Sequence, residues 1–374
     1  MGSLLGDALG GPVEFSNHPD VSRLLCNARS WDDGEKLDSA KLSALGSSLP
    51  LLSYESLRPD VASYGPWREN AAAGTVTDDS RHKIVLQRAV RAAIAAKVPL
   101  SVEGLAKQFV EFECHVDASG PDEMNKLIEE GLREYRLAAN WILGERDLSV
   151  ARPVERLWSG VNNCSGQMLM PTLAIAFAGA PERAYKCAFE LDFVDTPLAR
   201  DFTAALVAGL AAAIDPKLDK HTPRSRFEHC LSAMRNTDPY RISEVPFAGR
   251  QLTKWLDKAD ELVDRSGGSP KRLYRLLESE GKPVYWWDAH FTLLVPLSIL
   301  KLADYSPLAA MHLTLDFGHD TDSYAQVLGA ITGACCGEDI FPTQMLDAVA
   351  RRMQIDFGES PARWPEELRK LTTT

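Results

Sequence analysis

The sequence predicts an all-α protein, a single compact domain of packed helices. Three observations carry that expectation. Apolar residues recur at helical spacing almost everywhere. Period-two runs of Val, Ile, Thr and aromatic residues hardly occur. Pro and Gly gather between the helical stretches, at 17–20, 56–74, 265–271, 280–283 and 358–365. No tandem repeat or low-complexity linker divides the 374 residues. One domain over 1–374 is therefore expected, with 22–70, less periodic and more polar, as an irregular insertion near the site.

The elements follow in order. Gly2, Gly6 and Gly10 recur every four residues and give a first helix a smooth face for close packing. Glu14 lies just past its end, neither a good cap nor part of an apolar stripe. Residues 82–96 (HKIVLQRAVRAAIAA) read as an amphipathic helix with a wide buried face and Arg81, Arg88 and Arg91 on a polar stripe. Residues 122–143 alternate charged and apolar residues at helical spacing. Residues 201–214 (DFTAALVAGLAAAI) are nearly all apolar and read as a central core helix. Residues 291–302 and 323–337 read the same way. The last of these carries a second small-residue face at Gly329, Gly333 and Gly337.

Composition narrows the function classes. Apolar residues at 45% and charged residues at 25% are ordinary for a globular chain. Lys and Arg number 41 against 52 Asp and Glu, a net charge of −11. That balance lacks the electrostatic footprint of a general nucleic-acid binder. The longest largely apolar runs, 204–214 and 291–300, span eleven and ten residues. A membrane-spanning helix needs about 20. The start, Met-Gly-Ser-Leu-Leu-Gly-Asp, shows no basic region of a signal peptide. The seven Cys include no CxxC pair, and adjacent Cys335 and Cys336 are poorly placed to bridge each other. Reduced, mostly buried thiols in a cytoplasmic protein are expected.

Two acidic segments stand out. Thr77-Asp78-Asp79-Ser80 precedes the helix at 81–96, and Asp320-Thr321-Asp322-Ser323 precedes the helix at 324–337. Each could be a helix cap, since Asp, Ser and Thr are the preferred residues there. One cap needs one side chain, however, and each segment brings a second carboxylate. If the two converge, like charges repel strongly, and divalent cations bound by oxygen resolve the conflict. An all-oxygen shell favours Mg²⁺ or Mn²⁺ over Zn²⁺. The spacing does not itself establish convergence.

Taken with Gly-Asp-Ala-Leu-Gly-x-Pro-x-Glu (residues 6–14) and Gly-x-Asp-Thr-Asp-Ser followed by Gly-Ala-Ile-x-Gly-Ala (318–334), Thr77–Ser80 completes a set of motifs. In order and spacing they resemble the ADP-ribosylglycohydrolase family. The resemblance implies an all-α fold with a binuclear Mg²⁺ or Mn²⁺ cleft. It implies Thr77, Asp78, Asp79, Asp320, Asp322 and Ser323 as metal ligands. Glu14 then lines the metal site and gates it, and Glu14, Asp320 and Asp79 are the catalytic candidates. The Gly-rich stretch 160–166 corresponds to the family's ADP-ribose-binding segment and continues as a helix through Phe177. It brings Asn162, Asn163, Cys164, Ser165 and Gly166 to the substrate, with His319 a further candidate contact.

The chain departs from the family in that stretch. Where members commonly read Gly-x-Ala-Met-Arg, residues 164–170 read Cys-Ser-Gly-Gln-Met-Leu-Met, without Arg. Where a Thr-His pair falls, 193–197 read Phe-Val-Asp-Thr-Pro. Asp192 and Asp195 then line an altered pocket or cap a helix. Trp286 and Trp287, with Asp288 and His290 beside them, form either a core anchor or a stacking platform for adenine. Cys335 and Cys336 have no charged neighbour in sequence to activate them.

The function expected is Mg²⁺-dependent hydrolysis of the glycosidic bond at the anomeric ribose carbon. The substrate is an ADP-ribosylated protein or an ADP-ribose conjugate, and the enzyme a monomer. The alternatives are a metal-dependent glycosidase on a free nucleotide or nucleoside, and a catalytically silent, crystallin-like ADP-ribose binder.

Overall fold

The computed structural model describes residues 1–15, 24–52, 72–112, 121–281 and 284–371, with the side chains of 121–130 left aside. The loop at 17–20 and, of the insertion expected at 22–70, residues 22–23 and 53–70 lie outside the described residues. Among those described there is no strand, only an isolated bridge between Asn163 and Asp288. No helix among them is long and apolar enough to cross a membrane. The described cysteines are free thiols.

The helices are α1 (Gly2–Gly10), α2 (Ser39–Ser47), α3 (Asp78–Ala96), α4 (Val102–Glu111), α5 (Pro121–Ile142) and α6 (Ser165–Leu169). They continue with α7 (Pro181–Leu191), α8 (Pro197–Ala213), α9 (Pro223–Asn236), α10 (Gln251–Ser266) and α11 (Pro270–Leu276). The last are α12 (Ala289–Leu302), α13 (Pro307–Phe317), α14 (Thr321–Cys336), α15 (Thr343–Phe357) and α16 (Trp364–Leu371). Several begin with Pro in the first turn, where a missing N–H costs nothing. In α8, α9 and α11 a Thr or Ser just before that Pro caps the helix with its side chain.

Buried apolar side chains from Leu4 to Leu368 form one contiguous core. α14 runs through it, touching α12, α13 and α9, and α1 lies along it in the most extensive helix pairing. α8, buried along nearly its whole length, packs on α7 and α9. α3 packs on α4, α6 and α16.

The expected helices at 82–96, 122–143, 201–214, 291–302 and 323–337 are all present, but each starts earlier, by one to four residues. α3 begins at Asp78 and α14 at Thr321, so both acidic motifs sit in a first helical turn. The helix expected through Phe177 is broken instead. α6 stops at Leu169, and Pro171–Phe177 turn as a 3₁₀ segment. Pro171 lacks the N–H that would continue α6. The polar stripe on α3 is also incomplete. Arg88 and Arg91 pair with Glu359, whereas Arg81 is buried.

Candidate metal centre

The two acidic motifs, far apart in sequence, are brought together through α1. Gly2 and Gly6 let its backbone lie directly on α14, where a Cβ at Gly6 would fall 2.0 Å from the Ala325 carbonyl oxygen. A Cβ at Gly10 would fall 2.4 Å from Asp322 Cα, so the end of α1 is set against the second motif. The next turn, Gly11–Val13, delivers Glu14 to the same place.

Asp7 ties α1 to the first motif. Its Oδ1 accepts from the Thr77 amide at 3.0 Å, and its Oδ2 accepts from the Ser80 amide at 3.0 Å. These are amide groups at the start of α3, which have no partner within the helix. Thr77 Oγ1 accepts from the Asp79 amide at 3.2 Å, the usual work of an N-cap. Lys83, fully buried one turn on, donates to the Asp79 carbonyl at 2.9 Å. Lys83 escapes a motif reading of the sequence, and Asp7, although it stands in the first motif, is given no role by it. The available signal was a charged residue in an otherwise apolar helix and another on a helix's buried face.

Five carboxylates result, in two overlapping groups. Carboxylate oxygens of Glu14, Asp320 and Asp322 lie within 4.8 Å of one another, and so do those of Asp78, Asp79 and Asp322. Asp322 belongs to both. Ser323 Oγ donates to Asp79 Oδ2 at 3.3 Å, and the Ser323 amide to Asp322 Oδ1 at 2.9 Å.

Burial, reinforced by neighbouring carboxylates, pushes Glu14, Asp79 and Asp322 well above the ordinary carboxyl range. Burial first, then Asp78, raises Asp320 to about 7. Asp79 Oδ1 and Asp320 Oδ2 are buried without a hydrogen-bond partner. Buried acceptors without donors are costly. Divalent cations supply what is missing, positive charge and coordination for free oxygens, so this residue set fits a metal centre.

A cavity of about 310 Å³ opens above the carboxylates. Glu14, Asp78, Asp79, Asp320, Asp322 and Ser323 line one side of it. Asn163, Cys164 and Ser165 line another, with Tyr135, Trp158, Tyr285 and Trp287 as aromatic wall. Tyr285 and Trp287 stack with centroids 5.1 Å apart, and Tyr135 shares a 2.5 Å hydrogen bond with Ser165. Tyr135 and Trp158 have no motif to announce them. Each comes from an element distant in sequence from the acidic motifs.

Not every expected contact faces the cavity. Thr77 is buried behind the lining carboxylates. Asn162 accepts from Thr196 Oγ1 at 2.5 Å, and its carbonyl accepts from the Ala289 amide at 2.7 Å. His319 stacks on Trp286 at 3.6 Å and meets Glu278 at 3.0 Å, outside the lining. The adjacent tryptophans thus divide their roles: Trp286 packs inward, and Trp287 faces the cavity.

Of the two roles the sequence left open for Asp192 and Asp195, lining the pocket is not the one they take. They support its floor from behind. Asp195 accepts from the Gly166 amide at 2.9 Å and from Thr203 at 2.9 Å. A Cβ on Gly166 would fall 2.3 Å from both carboxyls, so any side chain there would have to push them aside. Burial raises both acids, Asp195 to about 6. With its oxygen turned to Trp158 Nε1 (2.6 Å), the Asn163 amide donates to Asp195 at 3.2 Å. The acids therefore hold the 163–166 segment in place.

Comparison with known proteins bears on this arrangement in one respect. A family model described as ADP-ribosylglycohydrolase matches residues 1–370. No curated protein matches the chain.

Proposed function

The chain belongs to the ADP-ribosylglycohydrolase family, which makes it a glycosidase, and we propose that it cleaves the bond between the anomeric ribose carbon of an ADP-ribosyl group and its acceptor. The observation that carries the reading is the pair of carboxylate triads sharing Asp322 on one side of an aromatic-walled cavity.

Thr77, Asp78, Asp79, Asp320, Asp322 and Ser323 would hold two Mg²⁺ or Mn²⁺ ions. Bound there, the ions would supply Lewis acidity and a template for ribose hydroxyls and the attacking water. The chain's residues do the rest. Breaking the glycosidic bond builds positive charge on the sugar ring, and water must attack the face opposite the leaving group. The carboxylate-lined side stabilises that charge. Asp320 and Glu14, both lining the cavity, would take a proton from the water, which is made more acidic by cations held beside it. Asn163 and Ser165 offer polar contacts, and Trp287 with Tyr285 an apolar face for a base. Asp192 and Asp195 keep the 163–166 segment in register.

One observation favours a second reading, a free nucleoside as substrate in place of a modified protein. Among the described residues, no Lys or Arg lines the cavity, so a pyrophosphate would find no cationic side chain there. The test is release of ADP-ribose from arginine- and serine-linked ADP-ribosyl peptides, followed by mass spectrometry with Mg²⁺ and with chelator. Metal-dependent release supports the first reading. Cleavage of a simple riboside alone supports the second, and no turnover of any riboside in either metal contradicts both.

A further inference from the structure

Glu14, Asp320 and Trp287 reach the cavity from three segments, and a residue outside that lining, His319, touches all three segments. His319 immediately precedes Asp320. Its carbonyl accepts from the Thr321 amide at 2.9 Å and from the Phe15 amide at 2.8 Å, so it also fixes the residue after Glu14. Its ring stacks on Trp286, the neighbour of Trp287, with centroids 3.6 Å apart and planes 12° off parallel. His319 does this in the left-handed region, at φ +66°. That conformation is costly for a residue with a Cβ and free for glycine. It persists only where the surroundings hold it. Here the ring is held twice, by the stack and by Nε2, which donates to Glu278 at 3.0 Å. Arg29 anchors Glu278 at 2.7 Å and donates to the Phe317 carbonyl, at the root of the same turn, at 2.8 Å. The Tyr324 hydroxyl donates to the Trp286 carbonyl at 2.6 Å and ties the tryptophan backbone to α14.

We propose that His319 is a positioning residue that sets the carboxylates and the aromatic wall in register through two separable actions. Its ring, held by Trp286 and Glu278, keeps the backbone in the left-handed turn that aims Asp320 at the cavity and holds Phe15, and with it Glu14, in place. The same stack keeps Trp286 inward and so turns Trp287 outward to the cavity. The first action belongs to the backbone and needs only a positive φ. The second belongs to the ring and needs its flat face. The inference rests on the reading that these carboxylates hold cations.

The test compares His319→Ala with His319→Gly in the full chain. Electron paramagnetic resonance reads Mn²⁺ binding. Fluorine resonances of 5-fluorotryptophan read the wall, with Trp287 assigned through Trp287→Phe. His319→Ala keeps the Cβ and loses what held the ring, so the turn relaxes and Mn²⁺ affinity should fall ~5- to 30-fold, the cost of one left-handed residue expressed as a factor. His319→Gly loses the same holds but takes a positive φ freely, so its Mn²⁺ affinity should stay within ~2-fold of wild type. A merely structural role would order the two the other way, because glycine leaves the chain more freedom to lose. The Trp287 resonance should shift or broaden in both variants, since both lack the ring. Equal Mn²⁺ affinity in the two variants, or a weaker one in His319→Gly, overturns the proposal. So does a Trp287 resonance unchanged in both. If wild type itself binds no Mn²⁺, the metal-centre reading has failed and takes the inference with it.

Discussion

Replacing Gly6 by Ala adds one methyl group where two helix backbones touch. The new Cβ would lie 2.0 Å from the Ala325 oxygen, 2.4 Å from its carbonyl carbon and 2.8 Å from the Gln326 nitrogen. Real Cβ contacts essentially never fall under 3.0 Å. All three obstacles are backbone, so no rotamer change relieves them, and α1 must move off α14 by about 1 Å. A gap of that size forfeits roughly a quarter to a half of each affected dispersion contact. A loss of about 3 kcal/mol is expected, the upper end for overpacked sites. The shift also carries Gly10 and Glu14 away from Asp322, so Mn²⁺ affinity should fall at least ~10-fold, as when a supporting residue is lost. Gly131→Ala is the control. It lies in α5 with nothing within 4 Å of its Cβ. There Ala should stabilise by about 0.5–1 kcal/mol through its helix preference. Urea unfolding at constant slope and Mn²⁺ titration read both effects. If Gly6→Ala unfolds at the wild-type midpoint and binds Mn²⁺ as well, the account of how α1 assembles the site is wrong.

Asp322 belongs to both triads, so Asp322→Asn should abolish Mn²⁺ binding at both positions and slow hydrolysis by on the order of 10²–10³, as when an electrostatic stabiliser is removed. In chelator the same variant should unfold at higher urea than wild type, because one buried like charge is gone. A less stable metal-free variant would show that the carboxylates do not repel one another. The pH dependence follows from Asp320, raised to about 7. Its stabilising share is full below the unfolded value of about 4 and is lost as pH rises through the folded one. Metal-free protein should therefore weaken between those limits, and Mg²⁺ should restore it at the upper end. A flat urea midpoint over that range would contradict the shift. Trp287→Ala should raise KM about 5- to 150-fold with kcat little changed, the cost of one base–aromatic stack at ~1–3 kcal/mol. A loss confined to kcat would assign Trp287 to the chemistry instead.

Apolar periodicity locates helix interiors well and helix starts poorly. The pattern places Asp78, Asp79 and Asp322 ahead of their helices, yet they occupy the first turn. First-turn residues serve unpaired amide groups rather than the core, so they carry no apolar signature. The small-residue faces on α1 and α14 are plain in the sequence, and the family resemblance supplies the ligand set. That Gly6 meets Ala325, and that Asp7 reaches Thr77 and Ser80, are tertiary facts without a local signal. Asp192 and Asp195 show the same limit. Their burial behind Gly166 follows from a segment packing onto α8, not from anything in their own neighbourhood of sequence. The aromatic wall was half legible: the Trp pair is conspicuous, but which ring faces the cavity depends on His319 claiming Trp286.

The central claim is that Asp322 joins two cation positions beneath the cavity. Anomalous diffraction from crystals grown with Mn²⁺ tests it most directly. The account predicts two peaks roughly 3.5–4 Å apart, as in other two-metal centres, one beside Asp78 and Asp79 and one beside Glu14 and Asp320, with Asp322 between them. Well-diffracting crystals with no peak among these carboxylates, or with Mn²⁺ bound only elsewhere, would contradict it.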